Sequence, residues 1–291
     1  MYQSREDRIW ILENTLRVLR RGVYVKDGRT VNLSLTSMEM EQCRAVLPGE
    51  AHEIADEDCD EARTLAEKCR FSCVNEDSFT AAMKMISAGS KNPAADEKAE
   101  PLVLNFANPV NIGGGVRNGA RAQEEDLCRQ SSLLLSLESR EAFKYYKYNR
   151  GLHGKMGSDA FILSPKVEII KDRNGDFLER PRIAAAITCA APYLKFGMGR
   201  MTMPEYCGMM LLRIKGLLKF AAKERYTKLV LGAWGCGAFG NDPKIMSDLF
   251  HKALQEINPD GLFREVCFAV LDTSYDKHIF REFARNFGNM R

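Results

Sequence analysis

The sequence predicts an α/β fold, a helix-flanked and largely parallel sheet preceded by a mostly helical N-terminal extension, and three observations carry that prediction. From Leu102 onward short apolar runs recur, each long enough for a strand and too short for a helix: Leu102–Phe106, Ala160–Leu163, Ile183–Cys189, Lys228–Ala233 and Val266–Leu271. The stretches between them carry helix-start signals. Thr202 ahead of Pro204 opens a run to Lys223, Asp242 before Pro243 opens a run to Ile257, and a last helix is expected over Lys277–Asn286. Third, the first ninety residues lack this rhythm and read as helices, which divides the chain into an extension over residues 1–95 and a core domain over 96–291.

Within the extension, Glu13–Arg20 is amphipathic, and Val23–Val31 reads as a hairpin because Asp27-Gly28 supplies its turn. Another helix is expected from Ser78 through Met85. The acidic run from Glu53 to Glu61 reads as a solvated helix face, and Glu61–Arg70 as helix. Residues 88–100, polar and carrying Gly and Pro, read as a surface loop.

Bulk properties exclude several classes. Forty-two basic and 39 acidic residues nearly balance at a formal +3, so neither a nucleic-acid nor a membrane partner is expected, while a small anionic ligand stays open. The charged start lacks the apolar run of a signal peptide, and no apolar stretch reaches the roughly 18 residues of a membrane span. A soluble, cytoplasmic protein is the expectation. Nine cysteines, with Cys189, Cys236 and Cys267 in or beside apolar runs, read as free thiols acting as small hydrophobes. Cys59, Cys69 and Cys73 near His52 contain no Cys-x-x-Cys pair, and a helix over Glu61–Arg70 would scatter them, so no metal site is expected.

The chemistry concentrates in two glycine loops. The first follows Leu102–Phe106: Asn108-Pro109-Val110-Asn111-Ile112-Gly113-Gly114-Gly115, and seven residues later Gln123-Glu124-Glu125 heads a helix. Three successive glycines cost backbone entropy and contribute no packing, so they suit a backbone that must approach a ligand closely at the sheet edge. Adjacent glutamates on a helix point about 100° apart, so one can do chemistry while the other holds ligand or structure. A first-turn carboxylate also gains about 0.3–1 kcal/mol from the helix dipole; the neighbouring triple glycine is what favours chemistry. The second loop, Gly235-Cys236-Gly237-Ala238-Phe239-Gly240-Asn241-Asp242-Pro243, lies between a strand and a capped helix, where backbone amides suit a diphosphate. Neither loop matches the P-loop or the Gly-x-Gly-x-x-Gly fingerprint.

Taken together with Ile187-Thr188-Cys189-Ala190-Ala191-Pro192, these loops resemble the microbial-type poly(ADP-ribose) glycohydrolases, and Val74-Asn75-Glu76-Asp77-Ser78-Phe79 extends the resemblance into the N-terminal third. The resemblance implies a three-layer α/β/α macrodomain with a mixed, largely parallel sheet. It implies ADP-ribose or ADP-ribosylated partners, no cofactor, and Glu125 as catalytic acid/base with Glu124 holding the ribose. Asn108, Gly113, Gly114 and Gly115 would line that ribose, with Gln123 beside them. Gly235, Cys236, Gly237, Ala238 and Gly240 would wrap the diphosphate, and Phe239 would orient the sugar. Ala238 stands where the family usually carries a larger aliphatic residue, and Tyr193 where asparagine commonly follows Ala-Ala-Pro; both bear on substrate preference.

A ribosyl acetal cleaves through an oxocarbenium-like state, so its leaving oxygen needs a proton and the attacking water a base; Glu125 would serve both steps. Two other readings share the pocket. A mono-ADP-ribosyl or O-acetyl-ADP-ribose hydrolase would not generally need the paired glutamates, and a silent ADP-ribose reader would have no use for Glu125.

Overall fold

The computed structural model describes residues 4–88, 98–152 and 156–288. Its strands in chain order are β1 (Val23–Lys26), β2 (Arg29–Asn32), β3 (Arg44–Val46), β4 (Arg70–Val74), β5 (Leu102–Phe106), β6 (Phe161–Lys171), β7 (Phe177–Cys189), β8 (Lys228–Leu231) and β9 (Glu265–Ala269). The α/β class is therefore as expected. The described chain divides into two compact units: one holds the residues up to Val46 with Asn105–Leu152 and Ala160–Ala190, the other Leu47–Leu104, the segment ending at Asp159, and the chain from Ala191. β5 itself divides after Leu104.

In the first unit β3, β6 and β7 pair antiparallel in that order. β6 runs well beyond the Ala160–Leu163 stretch, because the strand accommodates Pro165, which lacks a donor, through a shift of register between Ser164 and Val167. β1 and β2 form the expected hairpin, Lys26 opposite Arg29, with Asp27 and Gly28 both at positive φ (48° and 75°) as a two-residue turn of this hand requires. The first helix covers Arg5–Arg21, two turns more than its amphipathic core suggests, because Ser4 and Asp7 cap it reciprocally (Asp7 N to Ser4 Oγ 3.0 Å, Ser4 N to Asp7 Oδ2 2.8 Å). Its buried stripe is Ile11, Leu12, Leu16 and Leu19.

The second unit carries β5, β8, β9 and β4, all parallel, in that order. Helices Met203–Lys223, Pro243–Ile257 and His278–Phe287 lie within a residue of their expected limits. Phe268 on β9 anchors the core, stacked on Phe287 at 3.8 Å and edge-on to Phe250 at 5.4 Å. One expectation fails here: Glu61–Arg70 is not helical. After a 3-10 turn over Asp60–Ala62, Arg63 commits its guanidinium to the carbonyls of Ile257 (2.6 Å), Asn258 (2.6 Å) and Asp260 (2.8 Å), and Leu65 N donates to Gly261 O. That capping of the end of helix Pro243–Ile257 draws the segment out straight into β4, whose Ser72 pairs with Cys267. The helix from Ser78 reaches Ala88. The loop expected over residues 88–100 lies, for 89–97, outside the described residues.

Candidate active site

In the first unit the carboxylate centre begins where β5 ends. Gln123 Oε1 accepts from Phe106 N (2.9 Å), which fixes the start of helix Gln123–Gln130 against the end of the strand. Glu124, 2% exposed, then has both oxygens engaged: Oε1 by Asn105 Nδ2 (3.3 Å) and Oε2 by Asn108 N (2.8 Å). Asn105 also donates to Thr188 Oγ1 (3.1 Å) on β7. Glu125, 7% exposed, is held differently. Its Oε1 accepts from Gly115 N (2.8 Å), and among the described residues its Oε2 has no protein partner. Each Glu124 oxygen thus accepts one hydrogen bond from the fold, whereas Glu125 has one oxygen anchored and one unengaged among the described residues.

Burial pushes the Glu124 carboxyl up to about 8, and the charge of Glu125 adds to the rise; the donations from Asn108 and Asn105 oppose it. Near neutral pH Glu124 keeps its proton.

The triple glycine has a steric cause. Gly114 sits at φ +62°, and a Cβ there would collide with Glu125 Oε1 and lie 3.0 Å from Glu124 Oε2, so only glycine lets the loop lie on both carboxyls. Asn108 shapes the same loop, its Oδ1 accepting from Val110 N (3.0 Å) and Asn111 N (2.8 Å). Its Nδ2 has no partner among the described residues. The turn between Gly115 and Glu124 and the helix after it are braced from the first helix: Arg5 Nε donates to Asn118 O (2.9 Å), Arg8 Nε to Gly119 O (2.7 Å) and Thr15 Oγ1 to Arg129 O (2.6 Å). Arg129 in turn holds Ala120 O (2.8 Å) and pairs with Asp126.

In the second unit Gly235–Gly240 forms a loop after β8, ahead of the helix that Asp242 caps through Ile245 N (2.9 Å). Asn241 fixes its shape: Nδ2 donates to Pro192 O (2.8 Å) and Gly235 O (3.1 Å), and Oδ1 accepts from the buried Tyr206 hydroxyl (2.7 Å). Cys236 is buried beneath it. The N–H groups of Gly237, Ala238 and Phe239 have no acceptor among the described residues, leaving three consecutive donors for an anion. Phe239 packs edge-on to Tyr193 at 5.3 Å, and its carbonyl accepts from Leu194 N (2.7 Å). Tyr193, the departure noted in the sequence, buttresses Phe239.

Each loop therefore assembles around the residues that the sequence singles out. Asn105, Asn241 and Tyr206 carry no role in the sequence reading. Asn105 had a signal, an amide inside the apolar run Leu-Val-Leu-Asn-Phe, while Tyr206 had none. Among the described residues no group of three or more His, Cys, Asp or Glu side chains is placed to hold a metal ion. Likewise no helix is long and apolar enough to cross a membrane.

The family model for the microbial-type PARG catalytic domain matches residues 13–172, just over half of the chain. Among solved structures the chain is similar to poly(ADP-ribose) glycohydrolase of Thermomonospora curvata bound to the inhibitor ADP-HPD, at 31% identity over 97% of this chain and 100% of that one, with a TM-score of 0.84. It is also similar to poly(ADP-ribose) glycohydrolase of Deinococcus radiodurans in complex with ADP-ribose, at 32% identity over 88% and 98%, with a TM-score of 0.77. No curated protein sequence matches the chain.

Proposed function

The chain belongs to the microbial-type poly(ADP-ribose) glycohydrolase family, and from that premise we propose that it hydrolyses the ribose–ribose O-glycosidic bond of ADP-ribose polymers, releasing ADP-ribose, with Glu125 as acid/base. What carries the choice of Glu125 is the difference between the two carboxyls: Glu124 has both oxygens committed, and Glu125 has one anchored and one free. The free Oε2 donates a proton to the leaving oxygen as the C–O bond breaks and its electron pair departs with that oxygen. The resulting carboxylate then takes a proton from the water that attacks the anomeric carbon, which returns Glu125 to its starting form. No cofactor or metal enters the step.

Glu124, protonated near neutral pH, holds a hydroxyl of the ribose undergoing cleavage. Asn108 Nδ2 and the backbone of Gly113–Gly115 line that ribose, with Gln123 securing the head of the helix. The three open amides of Gly237, Ala238 and Phe239, with Gly235, Cys236 and Gly240 around them, take the diphosphate, and Phe239 orients the sugar.

The test is release of free ADP-ribose from automodified, polymer-bearing protein by the wild type and by Glu125→Gln, with ADP-ribose binding followed calorimetrically for both. Release should fall by about 10²–10⁴-fold in the variant, the scale of lost general acid–base catalysis, while binding persists. A wild type that binds ADP-ribose and releases none from polymer overturns the reading.

A further inference from the structure

We propose that the exposed face of helix Phe143–Arg150 is a docking surface for a second ADP-ribosyl unit of the same polymer; this deepens the glycohydrolase reading and rests on it. The helix is two-faced. Tyr145, Tyr146 and Asn149 are buried, whereas Phe143, Lys147 and Arg150, spaced i, i+4, i+7, share an exposed stripe beside Lys144 and Tyr148. Phe143 is 48% exposed and Tyr148 39%, large aromatics left in water on the same helix as Lys144, Lys147 and Arg150. From Arg140 to Leu152 four cations (Arg140, Lys144, Lys147, Arg150) face one carboxylate, Glu141, so this segment alone carries a net +3, as much as the whole chain. Glu141 pairs with Lys144 (2.6 Å) and accepts from Ala45 N (3.4 Å), and Lys147 has no partner among the described residues.

The face is also tied to the carboxylate centre. Arg150 Nε donates to Val110 O (2.9 Å), Val110 N to Asn108 Oδ1 (3.0 Å), and Asn108 N to Glu124 Oε2 (2.8 Å), three hydrogen bonds linking the stripe to the ribose-holding carboxyl. The Arg150 guanidinium stands 5.9 Å over the Phe143 ring, which presents cation and aromatic surface together. Each further unit of an ADP-ribose polymer brings a diphosphate and an adenine, and the stripe offers cations for the one and a flat ring for the other. A single-stranded nucleic acid shares that chemistry. It would gain nothing from the link to Asn108 and Glu124, and the polymer is therefore the occupant the site favours.

The experiment compares Phe143→Ala and Lys147→Glu, singly and together, in the Glu125→Gln background for binding and in the otherwise wild-type chain for release. Ligands are ADP-ribose and purified polymer several units long. The double variant should bind polymer about ten-fold more weakly, with a shallower dependence on salt, as loss of one stacked base and one phosphate contact implies. Its affinity for ADP-ribose should stay within about two-fold, and release from polymer at limiting substrate should fall with polymer affinity. Equal losses for monomer and polymer, no loss for either, or competition by single-stranded nucleic acid as effective as by polymer overturns the proposal. Failure of the underlying reading shows separately, as absence of release by the wild type.

Discussion

The two glycine loops use their backbone amides in opposite ways. Around the carboxylate pair, three donors are taken by side chains of the same unit, Phe106 N by Gln123, Asn108 N by Glu124 and Gly115 N by Glu125. Between Gly237 and Phe239 the donors are left open, and the loop takes its shape from one side-chain amide, Asn241. Closed donors hold a reactive group in one geometry; open donors leave a place for a charge that arrives with the ligand. Glycine serves both, for different reasons: at 114 because a side chain has nowhere to go, at 237 where a Cβ would meet nothing within 4 Å.

Alanine at those two positions tests the contrast most sharply. Gly114→Ala adds about 1–2 kcal/mol of left-handed strain and drives a methyl into the Glu124 and Glu125 carboxyls. Misplacing either carboxyl by an ångström should reduce ADP-ribose release by about 10²-fold in a chain that still folds by circular dichroism. Retention of full activity would break the idea of a closed loop.

The next effect concerns pH. Because folding raises the Glu124 carboxyl from its ordinary 4.5 to about 8, the folded chain holds a proton that the unfolded chain has lost across that window. The associated stability is therefore complete below about pH 4.5 and is lost as pH rises through 8, a change of a few kcal/mol. Glu124→Gln should flatten that part of the profile in urea melts taken at pH 5 and pH 8.5. An unchanged slope would place the proton elsewhere.

The smallest effect is expected at the open loop. Gly237→Ala should change stability by less than about 0.5 kcal/mol, since neither strain nor collision awaits the methyl. Calorimetry with ADP-ribose then reports on the ligand alone: weaker binding means that the diphosphate approaches residue 237, and unchanged binding moves it away from there.

Much of this arrangement is legible in the sequence, where local chemistry announces it. Asp242-Pro243 marks a helix start, Asp27-Gly28 a turn, and the triple glycine with Gln123-Glu124-Glu125 a centre, because each signal lies within a few residues of what it shapes. Long-range causes are silent. Nothing near Arg63 reveals that its guanidinium caps carbonyls of Ile257 and Asn258, about 195 positions away, and so a helix was expected where the chain runs out into β4. β4, five residues long and only half-buried on β9, has too weak an apolar alternation to announce itself. Asn105 could be noticed as an amide in an apolar strand, but its partners Glu124 and Thr188, 19 and 83 positions on, could not be read from it.

The brace that Arg5 and Arg8 place on the turn at Asn118 and Gly119 has a consequence for synthesis. Its contacts span 113 and 111 positions. At roughly 5–20 residues per second, the first helix leaves the ribosome on the order of ten seconds before the turn it supports exists. For that interval the apolar stripe of Ile11, Leu12, Leu16 and Leu19 lacks the packing against helix Gln123–Gln130 that it has in the folded chain. Catalytic competence is thus acquired late, when the middle of the chain closes onto a beginning that has been waiting for it.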